Sequence, residues 1–467
     1  MLRFLGIAAL AALCAAGCGP NRASNGGSGV VPATVGRQPR GHIQHIVVIV
    51  QENRSFDNFF AGFPGADAPT FGCAAGGRNA QGALHDSSSG CPSGDRVVQL
   101  RPISFNDPNL RHTWSSSMTD WNNGRMDGFY RYGLRQPDEA YVYVDRTLIA
   151  PYWTIAQQWV LADAMFPTEF GGSFTAHLTL VAGTDNIKKR PSRAEVDFPD
   201  GKYDDCDSPP GTTSSFLTSD RVLHPSQGPF PCFDQFNTIA QVLDNAGVSW
   251  KYYATARKGA GMWSPFEAID YVRHGPDWRN NIIAPQTKVL TDAGDNRLAA
   301  VNWVMPSKAD SDHPEAHSDR GPSWVASIVN AIGESSYWPN TAIVVLWDDW
   351  GGWYDDAPPP QLDYRGLGIR VPCLIISPYA KKGSSGSGGF VTHTQYEYGS
   401  ILKFIEETFN LPYIGSPADG YTDKRANSLS DSFDFTQSPR PFVPITAKYP
   451  ASRFIDEPPS DEPVDTE

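Results

Sequence analysis

Two short runs of oxygen donors stand directly behind apolar stretches. HIVVIVQ leads into Glu52-Asn53-Arg54-Ser55-Phe56-Asp57-Asn58, and TAIVVLW leads into Asp348-Asp349-Trp350-Gly351-Gly352. Carboxylates and an amide are hard donors, suited to Mg²⁺ or Ca²⁺ more than to a thiolate-loving metal. Either cluster alone reads first as turn formers or helix caps. Both together, with Gly351-Gly352 allowing close approach, point to one shared divalent ion. A third run, Phe170-Gly171-Gly172-Ser173-Phe174-Thr175-Ala176-His177-Leu178, sets a serine where a helix would open. Its hydroxyl would lie among unpaired N–H groups at the positive helix end, as a plain N-cap or as a nucleophile on phosphorus. No G-x-S-x-G elbow occurs, so the α/β-hydrolase triad is not the template. Of the ten histidines, His112 (NLRHTW) and His313 (DSDHPEAH) lie in polar loops. They read as surface residues or as donors to phosphate oxygens. Pro314 keeps His313 and His317 from forming a helical metal pair.

The elements that must position these residues are legible as alternating patterns. Continuous β-branched or apolar runs occur at 43–51, 248–254, 300–306, 341–349 and 371–380. Such runs read as strands buried on both faces of a parallel sheet. Between them lie helical patterns: TIAQQWVLADAMF near 154–166, FDQFNTIAQVLDNAG, PSWVASIVNAIGE and YEYGSILKFIEETFN. The alternation predicts an α/β fold with a largely parallel central sheet. In such sheets the ligand site lies beyond the carboxyl ends of the strands, where both acidic clusters fall. Residues 64–105 and 185–235 interrupt the rhythm as Gly/Pro/Asp-rich insertions.

The chain of 467 residues carries 38 Lys and Arg against 51 Asp and Glu, a formal charge of −13. That balance excludes a basic nucleic-acid footprint. Hydrophobic content of 40% with 13 Trp excludes a disordered chain. Residues 1–17 read as a signal peptide too short to span a membrane, and the segment resembles a bacterial lipobox with Cys18 as the lipidated residue. Residues 18–40 form a flexible tether, 41–450 the folded domain, and 451–467 a disordered acidic tail. The expected location is therefore exported, periplasmic or cell-surface, held to the membrane by lipid. Cys73, Cys91, Cys206 and Cys232 lie in polar stretches where free thiols would oxidise, and the expected pairs are Cys73–Cys91 and Cys206–Cys232. Cys373, in VPCLIIS, reads as a buried core thiol.

HIVVIVQENRSFDNFF, FGGSFTAHLTLVAGT, DSDHP, TAIVVLWDDWGGWYDDAPPP, RVPCLIISPYAKKG and HTQYEYGSILKFIEETFNLP follow one another in this order. Over about residues 41–445 the chain resembles the bacterial phosphoesterase family of non-specific phospholipases C and acid phosphatases, in the alkaline phosphatase-like superfamily. The resemblance implies an α/β/α sandwich with disulfide-stapled insertions. It implies one metal ion, Ca²⁺ or Mg²⁺, on Glu52, Asn53, Asp348 and Asp349. Ser173 would be the nucleophile, passing through a phosphoserine, with His112 and His313 on the phosphoryl group. Arg54, His177 and Asp356 are the expected substrate contacts. The family commonly has His at the position of Asp356, and MWSPFEAIDYVRHG replaces a frequent His pair that His274 does not match. An added carboxylate at Asp356 would disfavour a dianionic monoester, so the expectation leans to diesters, phospholipase C-like. The alternatives are an acid phosphatase on soluble monoesters and a non-catalytic ligand-binding surface lipoprotein. A sulfatase should read C/S-x-P-x-R where this chain has Ser173-Phe174-Thr175-Ala176-His177. His393 and Glu397 read as a helix-start network.

Overall fold

Runs such as TAIVVLW carry apolar side chains on both sides of the backbone and can be satisfied only between two covering layers. The computed structural model describes residues 41–75, 91, 94–105, 108–131, 138–190, 192–200, 205–383 and 389–460. The leader, the tether and Cys18 lie outside the described residues. The main sheet is built from β1 (His45–Gln51), β2 (Val160–Phe166), β3 (Trp250–Tyr253), β4 (Ile282–Ile283), β5 (Val301–Val304), β6 (Thr341–Trp347), β7 (Val371–Ile376), β8 (Phe390–Thr392) and β9 (Tyr396–Glu397). Its order is β4-β3-β5-β1-β6-β7-β2-β8, with β9 also on β2. Neighbours pair in parallel except at β7, which runs antiparallel to both β6 and β2. Every residue of β6 is buried, so both faces of the sheet are covered.

The covering helices are α1 (Phe56–Phe60), α2 (Trp114–Trp121), α3 (Ala150–Gln158), α4 (Ser173–Ala182), α5 (Ile239–Ala246), α6 (Lys288–Gly294), α7 (Gly321–Gly333), α8 (Tyr398–Phe409) and α9 (Ala451–Ile455). One packed group is α3, α6, α7 and α9, and another is α4, α5 and α8. The result is the α/β sandwich that the strand–helix alternation implies. The 154–166 pattern divides: the helix stops at Gln158, and VLADAMF is strand β2. Buried on all but one residue, that stretch shows no surface against which a helical period could be read.

Each insertion contains an antiparallel sheet and each is stapled. Phe71–Ala74 pairs with Arg96–Gln99, and Cys73 is joined to Cys91. Asn186–Lys188, Arg193–Asp200, Thr213–Thr218 and Leu223–His224 form a second, four-stranded sheet that packs on α4, with Cys206 joined to Cys232. Cys373 is a free, buried thiol. The ordered chain runs past residue 450, where the acidic tail was expected to begin. Phe454 of α9 is buried, with its ring 5.4 Å from that of Trp324.

Candidate active site

Parallel strands deliver their C-terminal residues to one edge, and the chemistry-bearing residues follow them there. β1 ends at Gln51, before Glu52 and Asn53, and β6 at Trp347, before Asp348 and Asp349. β2 leads through residues 167–172 to Ser173, the first residue of α4. β5 leads to Asp312 and His313. Glu52, Asn53, Ser173, His177, Asp312, Asp348 and Asp349 are all fully buried.

The loops after β1 and β6 interlock. Asn53 N–H donates to Asp348 Oδ1 at 2.9 Å. Asn53 sits at φ +58°, a left-handed conformation that asparagine tolerates better than most residues. Gly351, at φ +61°, lies against it: a Cβ there would meet the Asn53 carbonyl oxygen at 2.2 Å. Ser173 Oγ donates to Asp349 Oδ2 at 3.1 Å, and Gly351 N–H fixes Asp349 Oδ1 at 2.7 Å. Tyr398 O–H donates to the carbonyls of Trp347 and Asp348, which pins the end of β6.

Glu52, His177 and Asp348 each aim a ligand atom at the others, all within 4.8 Å. Asp348 Oδ2 and Asn53 Oδ1 are buried without a hydrogen-bond partner. Orphaned buried oxygens are costly unless a cation or donor meets them, so this donor set fits a divalent ion. Burial works to raise the Asp348 carboxyl, yet His177 beside it and the Asn53 N–H bring it below the ordinary carboxylate range. Asp349, next in the chain, is held by the Ser173 hydroxyl and the Gly351 N–H.

The histidines are held differently. His112 Nδ1 lies 2.7 Å from Leu110 O and must donate to it, which leaves Nε2 to accept from Asn53 Nδ2 at 2.8 Å. His112 therefore holds the Asn53 amide by its Nδ2, leaving Oδ1 available as a donor atom. His313 Nδ1 accepts from Glu315 N–H at 3.2 Å, placing the ring proton on Nε2 as a donor. The two rings are 6.3 Å apart, and Trp263 lies 5.9 Å from His313 on the other side.

The three expected substrate contacts meet different partners. Arg54 donates to Asp312 O at 2.8 Å and Asn58 Oδ1 at 3.3 Å, under the rings of Phe59, Phe105 and Trp353. It ties the β1 loop to the His313 loop. His177 faces Glu52 and Asp348. Asp356 belongs to a second group, with Asp57 and Asp355, gathered on Arg370 at 2.8, 3.3 and 2.9 Å. Burial pushes Asp355 up to about 7. With Arg370 at its centre, this group links α1, the β6 loop and the start of β7.

One positioning residue escaped the sequence reading. Asp312 Oδ2 accepts from Tyr152 O–H at 2.7 Å and Trp347 Nε1–H at 3.0 Å, which sets the His313 loop. Only its place beside His313 could have signalled it. Glu397 caps α8 together with Ser400, as a helix-start residue should.

A family model described as the Phosphoesterase family matches residues 43–412. Phospholipase C B of Mycobacterium tuberculosis is 26% identical over 461 residues, spanning 86% of this chain and 80% of its own length. The non-hemolytic phospholipase C of Pseudomonas aeruginosa is 24% identical over 87% of this chain, which covers 60% of that protein. Non-specific phospholipase C4 of Arabidopsis thaliana is 23% identical, over 91% and 76% respectively. A solved protein of the alkaline phosphatase superfamily from Vibrio parahaemolyticus aligns at a TM-score of 0.38 and 10% identity, over 87% of this chain and 76% of its own.

Proposed function

The chain belongs to the Phosphoesterase family and is a hydrolase of phosphoric ester bonds, and we propose that Ser173 is its nucleophile, acting beside one divalent metal ion on phosphodiesters of the glycerophospholipid kind. The observation that carries this reading is the Ser173 hydroxyl at 3.1 Å from Asp349, on the same buried edge as the partnerless Asp348 Oδ2. Asp349 Oδ2 takes the serine proton as Oγ attacks phosphorus in line; the P–O bond to the leaving group breaks, the departing alkoxide takes a proton from water and leaves as the alcohol, and Ser173 is left as a phosphoserine. His313 Nε2–H donates to the phosphoryl group, and water then hydrolyses the phosphoserine. Glu52, Asn53 and Asp348, with Asp349 alongside, would hold the metal ion, which supplies positive charge against the phosphoryl oxygens and raises the acidity of the serine hydroxyl.

Two points support a monoanionic diester. Arg54, the guanidinium that could balance a dianion, is committed to Asp312 and Asn58. The relatives carry the name phospholipase C. A second reading, an acid phosphatase on soluble monoesters, is favoured by one observation: Arg370 pairs with Asp356, so the charge expected to repel a dianion is cancelled. Export is supported by the two disulfides, which belong to an oxidising compartment. Lipid attachment at Cys18 would hold the enzyme beside its substrate. Among the described residues no helix is long and apolar enough to cross a membrane.

The test uses the purified enzyme on bis(p-nitrophenyl) phosphate, p-nitrophenyl phosphate and phosphatidylcholine vesicles. The proposal expects higher kcat/KM on the diesters, loss of turnover on chelation, and a fall on the order of 10³-fold or more in Ser173→Ala. A folded Ser173→Ala enzyme with wild-type turnover rejects the nucleophile. A clear monoester preference transfers support to the second reading.

A further inference from the structure

We propose that His177 is itself a ligand of the metal ion, through Nε2, which makes the centre a mixed nitrogen–oxygen site that prefers a borderline transition-metal ion such as Zn²⁺ to Ca²⁺. The inference rests on Glu52 and Asp348 being metal ligands, as proposed above.

His177 lies one helical turn after Ser173 on the same face of α4, with its ring fully buried. Its Nε2 is 3.2 and 3.5 Å from the two oxygens of Glu52 and 3.5 Å from Asp348 Oδ2. A charge-assisted hydrogen bond between an imidazole and a carboxylate closes to about 2.7–2.9 Å. Metal–ligand bonds of about 2.0–2.2 Å instead put atoms at adjacent corners of a coordination shell roughly 2.9–3.5 Å apart. The spacing observed fits neighbouring ligands, and the 3.2 Å contact to Glu52 Oε1 is also that of a long hydrogen bond.

Hydrogen-bond accounting agrees. Asp348 Oδ1 is taken by the Asn53 N–H, and the oxygen left without a donor is Oδ2, the one facing His177. His177 Nδ1 has no partner either, so no donor at Nδ1 holds the ring proton on Nε2. A nitrogen ligand changes selectivity because Ca²⁺ and Mg²⁺ take oxygen donors almost exclusively, whereas imidazole suits Zn²⁺ and Fe²⁺.

The full-length enzyme, stripped of metal, is reloaded from an equimolar mixture of Ca²⁺, Mg²⁺, Mn²⁺ and Zn²⁺, and the bound ion is measured by mass spectrometry. A second sample loaded with Mn²⁺ alone is examined by pulsed electron paramagnetic resonance for hyperfine coupling to a bound nitrogen. The wild type should take Zn²⁺ over Ca²⁺, and its Mn²⁺-loaded form should show nitrogen coupling. His177→Gln should lose the coupling and retain Mn²⁺ at least ~10-fold more weakly. Should His177→Gln not fold, His112→Gln and His313→Gln must both leave the coupling intact. Mn²⁺ bound without nitrogen coupling, coupling that survives in His177→Gln or vanishes in the other two variants, or selective uptake of Ca²⁺ overturns this assignment alone. Failure of the wild type to bind any divalent ion overturns the underlying metal site as well.

Discussion

The residues that hold the site do so by excluding side chains as well as by supplying them. Gly351 has no Cβ because Asn53 O fills that space, and its φ of +61° is itself unfavourable for other residues. Gly351→Ala should cost ~1–2 kcal/mol for the left-handed backbone plus a clash that displaces Asn53. The expected outcome is a fall of at least ~10-fold in metal retention, with a lower unfolding temperature. Titration of bound metal checks it, and unchanged retention would show that Asn53 is not held by this contact. Glu52, Asn53, Asp348 and Ser173 were legible in the sequence because hard donors immediately after apolar runs, and a serine after two glycines, are local signals. His177, Arg54 and Asp356 were legible as polar residues near those signals, but their direction was not. Which way a side chain turns depends on partners from distant segments: Asp348 for His177, Asp312 for Arg54, and Arg370 for Asp356.

At the scale of elements, strands buried on both faces announce themselves by composition, as β1 and β6 do, whereas β2 does not. VLADAMF mixes a carboxylate with alanines and methionine, residues that favour helices, and only its pairing with β7 and β8 makes it a strand. The strand that leads to Ser173 was thus hidden in the sequence. The four-stranded insertion packs on α4 and is closed by Cys206–Cys232, a loop of sequence separation 26. Chain-entropy arguments assign such a loop about 3 kcal/mol. The double variant Cys206→Ser/Cys232→Ser should lose roughly that stability in urea unfolding. Because α4 carries Ser173 and His177, turnover should fall with it at temperatures well below unfolding. Full activity and stability in the double variant would mean that the insertion is not what steadies α4.

Among the described residues, buried carboxyls outnumber buried guanidinium and ammonium groups. Burial pushes Asp197 up to about 6, Asp355 to about 7, Glu267 to about 8 and Glu406 to about 10. Glu406 is also raised by the neighbouring Asp423. In the unfolded chain these groups titrate near 4. The folded chain therefore holds protons that the unfolded chain has lost, and their contribution is full below about pH 4 and disappears as pH rises through 6 to 10. His45, lowered by burial, opposes this only below its ordinary value of 6.5. The formal charge of −13 works in the same direction as the carboxyls. Unfolding temperatures at constant ionic strength should accordingly be higher near pH 5 than near pH 8. A stability that rises over that interval would contradict the burial of neutral carboxyls. The account rests most heavily on Ser173 as a covalent nucleophile, and the stereochemical course of the reaction tests this most directly. A substrate chiral at phosphorus is turned over with an alcohol as acceptor, and the configuration of the product is read by NMR. Two successive in-line displacements, onto Ser173 and off it, give net retention. Net inversion would mean a single direct attack and would remove Ser173 from the reaction path.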